Sequence, residues 1–403
     1  MNRAGRVGKR IQEGSLYVLL FLLPFSKASV EISFGFLLLG WLVERFNPST
    51  RSQTLWRFRP LRCLAWAVGA YLVVCALSVT VSDFPMKSIR GFTDKWLEYL
   101  LFFVIVADIA RRPSVIRRSL TVLAWSSLCV AIYAIIQDVT VAGRYSLHPA
   151  SGYGRMTGPY ENPIDLATYL MVLVPVLLGC AFRKRGLKRV SLWALLLVLV
   201  GCLARTEAFG AWVGLWMGLA VMAAGNRVMW QFGLMAMIGS LIMGGVSLLW
   251  TGRLRDLASL AEIGKVDRWA MWQAAIGMIR DRPILGHGVN TFMAKYLDYW
   301  VAGERMPRYA HNCYLQVAAE TGLIGLAVFL WLLWCLFSVI RAGLRQSRSE
   351  ESVLLAGFLG GLFAFVVQAG LDTNFYALRQ AALFWVLAGL AVGLSEQIRA
   401  SST

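Results

Sequence analysis

Hydrophobic residues run through this chain in blocks of about twenty, broken by charged or Pro/Gly-rich punctuation, and not in the half-apolar repeat of a helix on a soluble surface. A spanning helix needs about 20 mainly apolar residues, so the breaks predict about twelve spans. They fall near 11–27, 29–45, 62–82, 92–110, 115–138, 163–182, 189–204, 208–225, 228–250, 311–341, 352–371 and 376–395. One hydrophilic stretch, 251–310, separates the ninth span from the tenth. A polar backbone in hydrocarbon must satisfy its own hydrogen bonds, which places so long a loop outside the bilayer. The expected architecture is an all-α polytopic membrane protein, with spans one to nine over 1–250, a large loop containing amphipathic helices over 251–310 and spans ten to twelve over 311–403.

Within the loop the period changes. Asp267 can cap a helix in which Trp269, Trp272, Ile276 and Ile279 form one apolar stripe, turned to the membrane or the bundle. Pro283, Gly286 and Gly288 then force a turn, and the aromatic-rich stretch 289–300 suits the headgroup zone. The tenth span is expected to open near His311, which puts Glu320 about two and a half turns inside it. A carboxylate at that depth is costly unless paired or hydrated, making Glu320 a candidate for ligand contact or for structural pairing.

Composition agrees with the membrane reading, because 58% of residues are hydrophobic and only 15% charged, below the roughly 25% of soluble domains. The formal charge of +18 decides the orientation. Lys and Arg crowd into alternate connections, at 3–10, 45–62, 111–118, 183–189, 227, 341–348 and 399, so the positive-inside rule makes those segments and both termini cytoplasmic and 251–310 periplasmic. Basic groups spread over short loops suit anionic membrane lipids better than a nucleic-acid groove, and nucleic acid is not an expected partner. The basic start followed by an apolar run to Phe25 resembles a secretory signal, but the spans that follow favour an uncleaved first helix. The seven cysteines show neither a disulfide framework nor a CxxC metal spacing, and Cys313 reads as a small packing residue.

Few polar groups are placed to do chemistry. His311, beside Arg308 and Asn312 at the loop–helix junction, could take a proton from a hydroxyl or could simply begin a helix at the interface. His287, between two glycines, and His148 carry weaker signals. Arg205 lies in a very short outer link and must find an anion, either Glu207 or a ligand phosphate that matches its planar fork. Arg268 in the loop is a similar candidate. Asp372 in the last outer turn could orient a histidine, hold an arginine or form the turn. Glu161, Asn162 and Asp165 border the sixth span, and Arg90, Asp94 and Lys95 border the fourth, where solvation is the default.

No Asp-x-Asp pair, His-x-x-x-His, phosphate-binding loop or Gly-x-Ser-x-Gly occurs, so metal-dependent sugar transfer, nucleotide hydrolysis and an elbow-type hydrolase are not signalled. A histidine base with arginines remains, a combination suited to displacing pyrophosphate. In order, Arg268-x-x-x-Trp272, Pro283-Ile-Leu-Gly286-x-Gly288-x-x-x-Phe292 and His311-Asn312-x-Tyr314-Leu315 with Glu320-x-Gly322 resemble the O-antigen ligase family, WaaL, and its wider superfamily with the O-antigen polymerases. The motif similarity covers about 268–325, and the span plan extends it along the chain.

The resemblance implies a GT-C-like membrane glycosyltransferase in the bacterial inner membrane with a periplasmic active site. Such an enzyme moves a preassembled glycan from undecaprenyl pyrophosphate to lipid A–core, without a cofactor or metal. By the same resemblance His311 is the essential histidine and Asp372 the acidic residue near the last spans, and Arg205 and Arg268 are the outer-face arginines; Arg308, Asn312, Tyr314 and Glu320, placed around His311, are the further substrate-binding candidates. A repeat-unit polymerase is the nearest alternative. A lipid or glycan transporter, which would place paired polar sites near mid-membrane, is the alternative from another class.

Overall fold

The computed structural model describes residues 3–46, 59–141, 155–225, 238–239, 257–302, 306, 308–346 and 350–401. These residues are helical, with turns and no strand among them. The N-terminal half holds α1 (Arg3–Leu22), α2 (Lys27–Arg45), α3 (Arg59–Thr80), α4 (Pro85–Gly91), α5 (Glu98–Ile109), α6 (Pro113–Val141), α7 (Pro163–Arg183), α8 (Gly186–Thr206) and α9 (Phe209–Gly225). The remainder holds α10 (Leu257–Asp281), α11 (Phe292–Lys295), α12 (Cys313–Gln346), α13 (Glu350–Ala369) and α14 (Leu378–Ala400). Every expected span but the ninth coincides with one of these helices, whereas 228–250 lies outside the described residues apart from 238–239. Seven described helices are long and apolar enough to cross a membrane: α3, α6, α7, α8, α12, α13 and α14.

The core is built around α7, α13 and α14, whose side chains are almost wholly buried. Lipid tails are as apolar as leucine, so helices in a bilayer associate through close packing, which small residues permit. A Cβ on Gly218 of α9 would lie 2.3 Å from the Gly360 carbonyl oxygen of α13, and one on Gly361 would lie 2.4 Å from that of Val172 in α7. Outward from this contact, Trp96, Phe329, Phe375 and Tyr376 join in one aromatic cluster, with centroids 5.3–6.4 Å apart.

The fourth span is not one regular helix. Between α4 and α5 the turns widen into a π-helix over Phe92–Leu97, which buries Trp96 within the aromatic cluster. Gly91 makes room there for the 289–290 backbone, since a Cβ would meet that of Asn290 at 2.3 Å.

The loop helix is longer than the sequence reading. α10 starts at Leu257, so Asp267 lies inside it and is not its cap, because the preceding Leu/Ala/Glu-rich run contains strong helix formers and no proline to stop it. Of the two surroundings open to the tryptophan–isoleucine stripe, the bundle takes up only its Ile279 end. Met271, Ala274, Ala275 and Met278 pack against Phe292, Tyr296 and Ala319, while Trp269 is exposed and Trp272, Ile276 and Ile279 are half-buried.

The turn after α10 locks into a kink in α12. The backbone amides of His287 and Gly288 donate to the carbonyls of Ala319 and Glu320 at 3.1 and 2.8 Å, and that of Leu323 donates to Pro283 at 2.7 Å. Gly322 adopts φ 72°, which opens the helix there. A Cβ at Gly322 would lie 2.1 Å from the Ile284 carbonyl oxygen, so both the torsion and the close approach require glycine.

Candidate active site

The start of α12 sets the site. Asn312 is its N-cap: the side-chain oxygen accepts from the amides of Tyr314 and Leu315 at 3.0 and 3.1 Å, satisfying two donors that a helix start leaves open. His311 precedes it with φ 47°, a left-handed conformation uncommon outside glycine. The junction is pinned to the turn between α13 and α14, where the Cys313 amide donates to the Asp372 carbonyl at 3.1 Å and its thiol to Asn374 Oδ1 at 3.4 Å.

This pinning brings His311 and Asp372 together. Nδ1 of His311 lies 3.2 Å from Oδ1 of Asp372, and the same oxygen accepts the Thr373 amide at 2.8 Å. With the carboxylate accepting from Nδ1–H, the imidazole carries its proton on Nδ1 and presents Nε2 as an acceptor. The histidine side chain is 34% exposed and the aspartate 16%, so the ring is reachable while its anchor is sheltered. This geometry fits two of the three roles open to Asp372, orienting the histidine and forming the turn.

Other predicted site residues are spent on structure. Glu320 is 1% exposed and accepts from the amides of Asn290 and Phe292 at 2.7 and 3.2 Å, from Gln316 Nε2 at 3.2 Å and from the Tyr376 hydroxyl at 2.9 Å. Its reading as a ligand contact is therefore corrected to structural pairing, because four donors already occupy the carboxylate. The Tyr314 hydroxyl donates to the Val366 carbonyl at 2.6 Å, tying α12 to α13. Asn312 uses its side-chain oxygen as the cap.

The arginines separate. Arg205, in the last turn of α8, forks onto Asp138 of α6 with Nε–Oδ2 and Nη2–Oδ1 distances of 3.0 and 3.1 Å. The need for an anion was legible from its short link, but the partner is a carboxylate 67 residues away and not only a choice between Glu207 and a ligand. The Arg205 side chain stays 39% exposed. Arg308 is half-buried three residues before His311, and Arg268 is exposed on α10.

Near the sixth span, Asn162 caps α7 through Ile164 and Glu161 pairs with Lys27 at the surface at 3.4 Å. Lys95 departs from its expected solvation. Its ammonium donates to Asn290 Oδ1 at 2.9 Å and lies 5.3 and 6.0 Å from the Tyr376 and Tyr309 ring centres. The π-helical turn carries this lysine inward, and widened turns of that kind recur at functional sites. Its signal in the sequence was one cation beside Trp96 at the head of an apolar run. On the loop's other flank Asp83 holds Arg282 and Lys295 at 2.9 and 2.8 Å, and those hydrogen bonds keep its carboxyl below the usual range. His287 is buried between the two flanks, with Nε2 3.1 Å from the Met278 carbonyl. His148 lies outside the described residues.

Residues 190–330 match the O-antigen ligase family model, a segment containing Arg205, α10, the locked turn and the His311 junction. Over 383 residues the chain is 24% identical to the exopolysaccharide production protein ExoQ of Rhizobium meliloti (strain 1021), covering 87% of this chain and 81% of the relative. The resemblance to the O-antigen ligase/polymerase superfamily is thus borne out, in a chain with seven described helices long and apolar enough to cross a membrane.

Proposed function

We propose that the chain transfers a preassembled glycan from undecaprenyl pyrophosphate to the lipid A–core of lipopolysaccharide, at the periplasmic face of the inner membrane. The observation that carries this reading is the His311–Asp372 pair at the start of α12, with His311 inside the segment matched by the ligase family and Asp372 brought to it from the turn after α13. Nε2 of His311 takes the proton from the acceptor hydroxyl as its oxygen attacks the anomeric carbon. The bond from that carbon to the pyrophosphate oxygen breaks, and the carrier leaves as undecaprenyl pyrophosphate. Asp372 stabilises the imidazolium that forms, as a carboxylate at hydrogen-bond distance from Nδ1 can.

Arg205 and Arg268 neutralise the departing pyrophosphate, taking the place that a metal would otherwise fill. Arg205 is already oriented by Asp138, and its planar fork matches the geometry of phosphate oxygens. A single displacement inverts the anomeric centre. The energy is stored in the donor, which suits a reaction outside the cytoplasm.

Similarity to an exopolysaccharide protein favours a second reading, in which a carrier-linked glycan is the acceptor and the product is a longer polymer. Purified protein given carrier-linked glycan with lipid A–core, and carrier-linked glycan alone, separates the two. Conjugation confined to the first mixture supports ligation. Chain growth in the second overturns it in favour of polymerisation. Replacing Arg205 or Arg268 by Ala should weaken donor binding as well as transfer, and unchanged donor affinity in both variants would refute their role. For sidedness, a cysteine at exposed Gln273 of α10 should react with an impermeant thiol probe from the periplasm, and labelling only after the inner membrane is opened reverses the orientation.

A further inference from the structure

At the opposite end of the same helices lies a cavity of about 960 Å³ that the transfer reaction does not use. Its lining includes the start of α6 and the junction of α7 with α8, whereas Asp138 and Arg205 mark the other ends of α6 and α8. Ser114 and Asp138 are separated by roughly 36 Å of helix at 1.5 Å per residue, so the two sites sit near opposite membrane faces.

Two kinds of residue line the cavity. Arg117, Arg183, Lys184 and Lys188 supply cations at one end, with Glu351 the carboxylate among them. Leu120 and Leu195 belong to the apolar wall that continues along α6 and α8, and Trp125 farther along that wall is 59% exposed. The Nε of Arg183 is buried and has no hydrogen-bond partner, an expense that a bound anion would remove. At the upper edge of the ~300–1,000 Å³ of small-ligand sites, the volume accommodates a headgroup and the first part of acyl chains, the rest running into the bilayer past the exposed wall.

We propose that this cavity is a binding site for an anionic glycerophospholipid, with its phosphate among the four cations and its chains along α6 and α8. Basic pockets between spanning helices at a membrane's basic side recognise anionic headgroups in this way, and the apolar wall specifies a lipid over a soluble anion. The site is independent of the reading of the catalytic end.

Native mass spectrometry of the full-length protein in detergent tests it, with phosphatidylglycerol, phosphatidylcholine and inorganic phosphate as probes. The expected result is at least tenfold preferential retention of phosphatidylglycerol over phosphatidylcholine, undiminished by millimolar phosphate. The double variant Arg117→Gln/Lys188→Gln should lose that preference, and so should Ala194→Trp, which fills the cavity while keeping every cation. Arg205→Gln at the other end should keep it. Equal retention of the two lipids, an undiminished preference in either cavity variant, or displacement by phosphate alone would overturn the proposal.

Discussion

His311 and Glu320 sit nine positions apart at the head of the tenth span, and their surroundings differ in the way that separates chemistry from architecture. Glu320 is fully buried, with four donors on its carboxylate, and it holds the 288–292 turn against α12. His311 is one-third exposed (34%), sits in a left-handed backbone conformation and has one ring nitrogen at hydrogen-bond distance from a side chain. A saturated polar group fixes a structure, whereas an oriented but unsaturated one can exchange a proton. The lock exists so that the junction can be held without filling it.

The largest expected effect breaks the comparison at its reactive end. His311→Ala should lower glycan transfer by about 10²–10⁴-fold, the usual contribution of a positioned base, with abundance and donor binding retained. Near-normal turnover would sink the assignment. Glu320→Ala should act the other way round, by about 3 kcal/mol on stability, because it strands buried donors that each cost ~1–3 kcal/mol when unpaired. Thermal unfolding in detergent reads that loss. If Glu320→Ala instead left the melting temperature unchanged and abolished turnover, the carboxylate would belong to the chemistry.

The sequence carried the architecture because spanning helices are written locally, as apolar length between charged breaks. The π-turn at Phe92–Leu97 was not legible, since it comes from packing Trp96 into a distant aromatic cluster. For α10 the periodicity located a stripe but could not say that the small-residue flank at Ala274 and Ala275 would be the one covered by protein. At the site, spacing and resemblance pointed to His311 and Asp372, whose pairing depends on the turn between α13 and α14. Resemblance also swept in Asn312, Tyr314 and Glu320, because a motif records what a fold needs as well as what a reaction needs. Cap, tie and lock were invisible until Val366, Tyr376 and the 290–292 amides had positions.

A smaller effect sharpens the distinction between base and orienter. Asp372→Asn should cut turnover by about tenfold to 10²-fold, below or at the edge of the loss on removing the base itself, because the ring remains but loses the anion that stabilises its protonated form. The fold should survive, since the backbone carbonyl of residue 372, and not its side chain, receives the Cys313 amide. The kinetic split supplies the readout that a structural role would not move: the loss should fall on kcat, with donor affinity and melting temperature retained. Reduced turnover with an equally reduced melting temperature would reassign Asp372 to holding the turn.

The smallest expected effect concerns the lock's own histidine. Burial of His287 holds its pKa below the ordinary imidazole value, opposed by the Met278 carbonyl, while Arg282 and Lys295 push it further down and Asp83 pushes it up. A histidine whose folded pKa is depressed binds its proton more readily in the unfolded chain. Its contribution to stability is therefore fully present above the unfolded value of about 6.5 and is lost as pH falls through that value toward the folded one. Melting temperature should consequently drop between pH 7.5 and 5.5, and His287→Gln should shrink that drop even if it lowers stability at pH 7.5. Asp83 adds a loss of its own only at more acid pH, because hydrogen bonds from Lys295 and Arg282 hold its carboxyl below its ordinary value. An identical acid drop in wild type and variant would show that protonation of His287 does not govern the strength of the lock, and that the turn behind His311 is held by its backbone bonds and the Glu320 carboxylate.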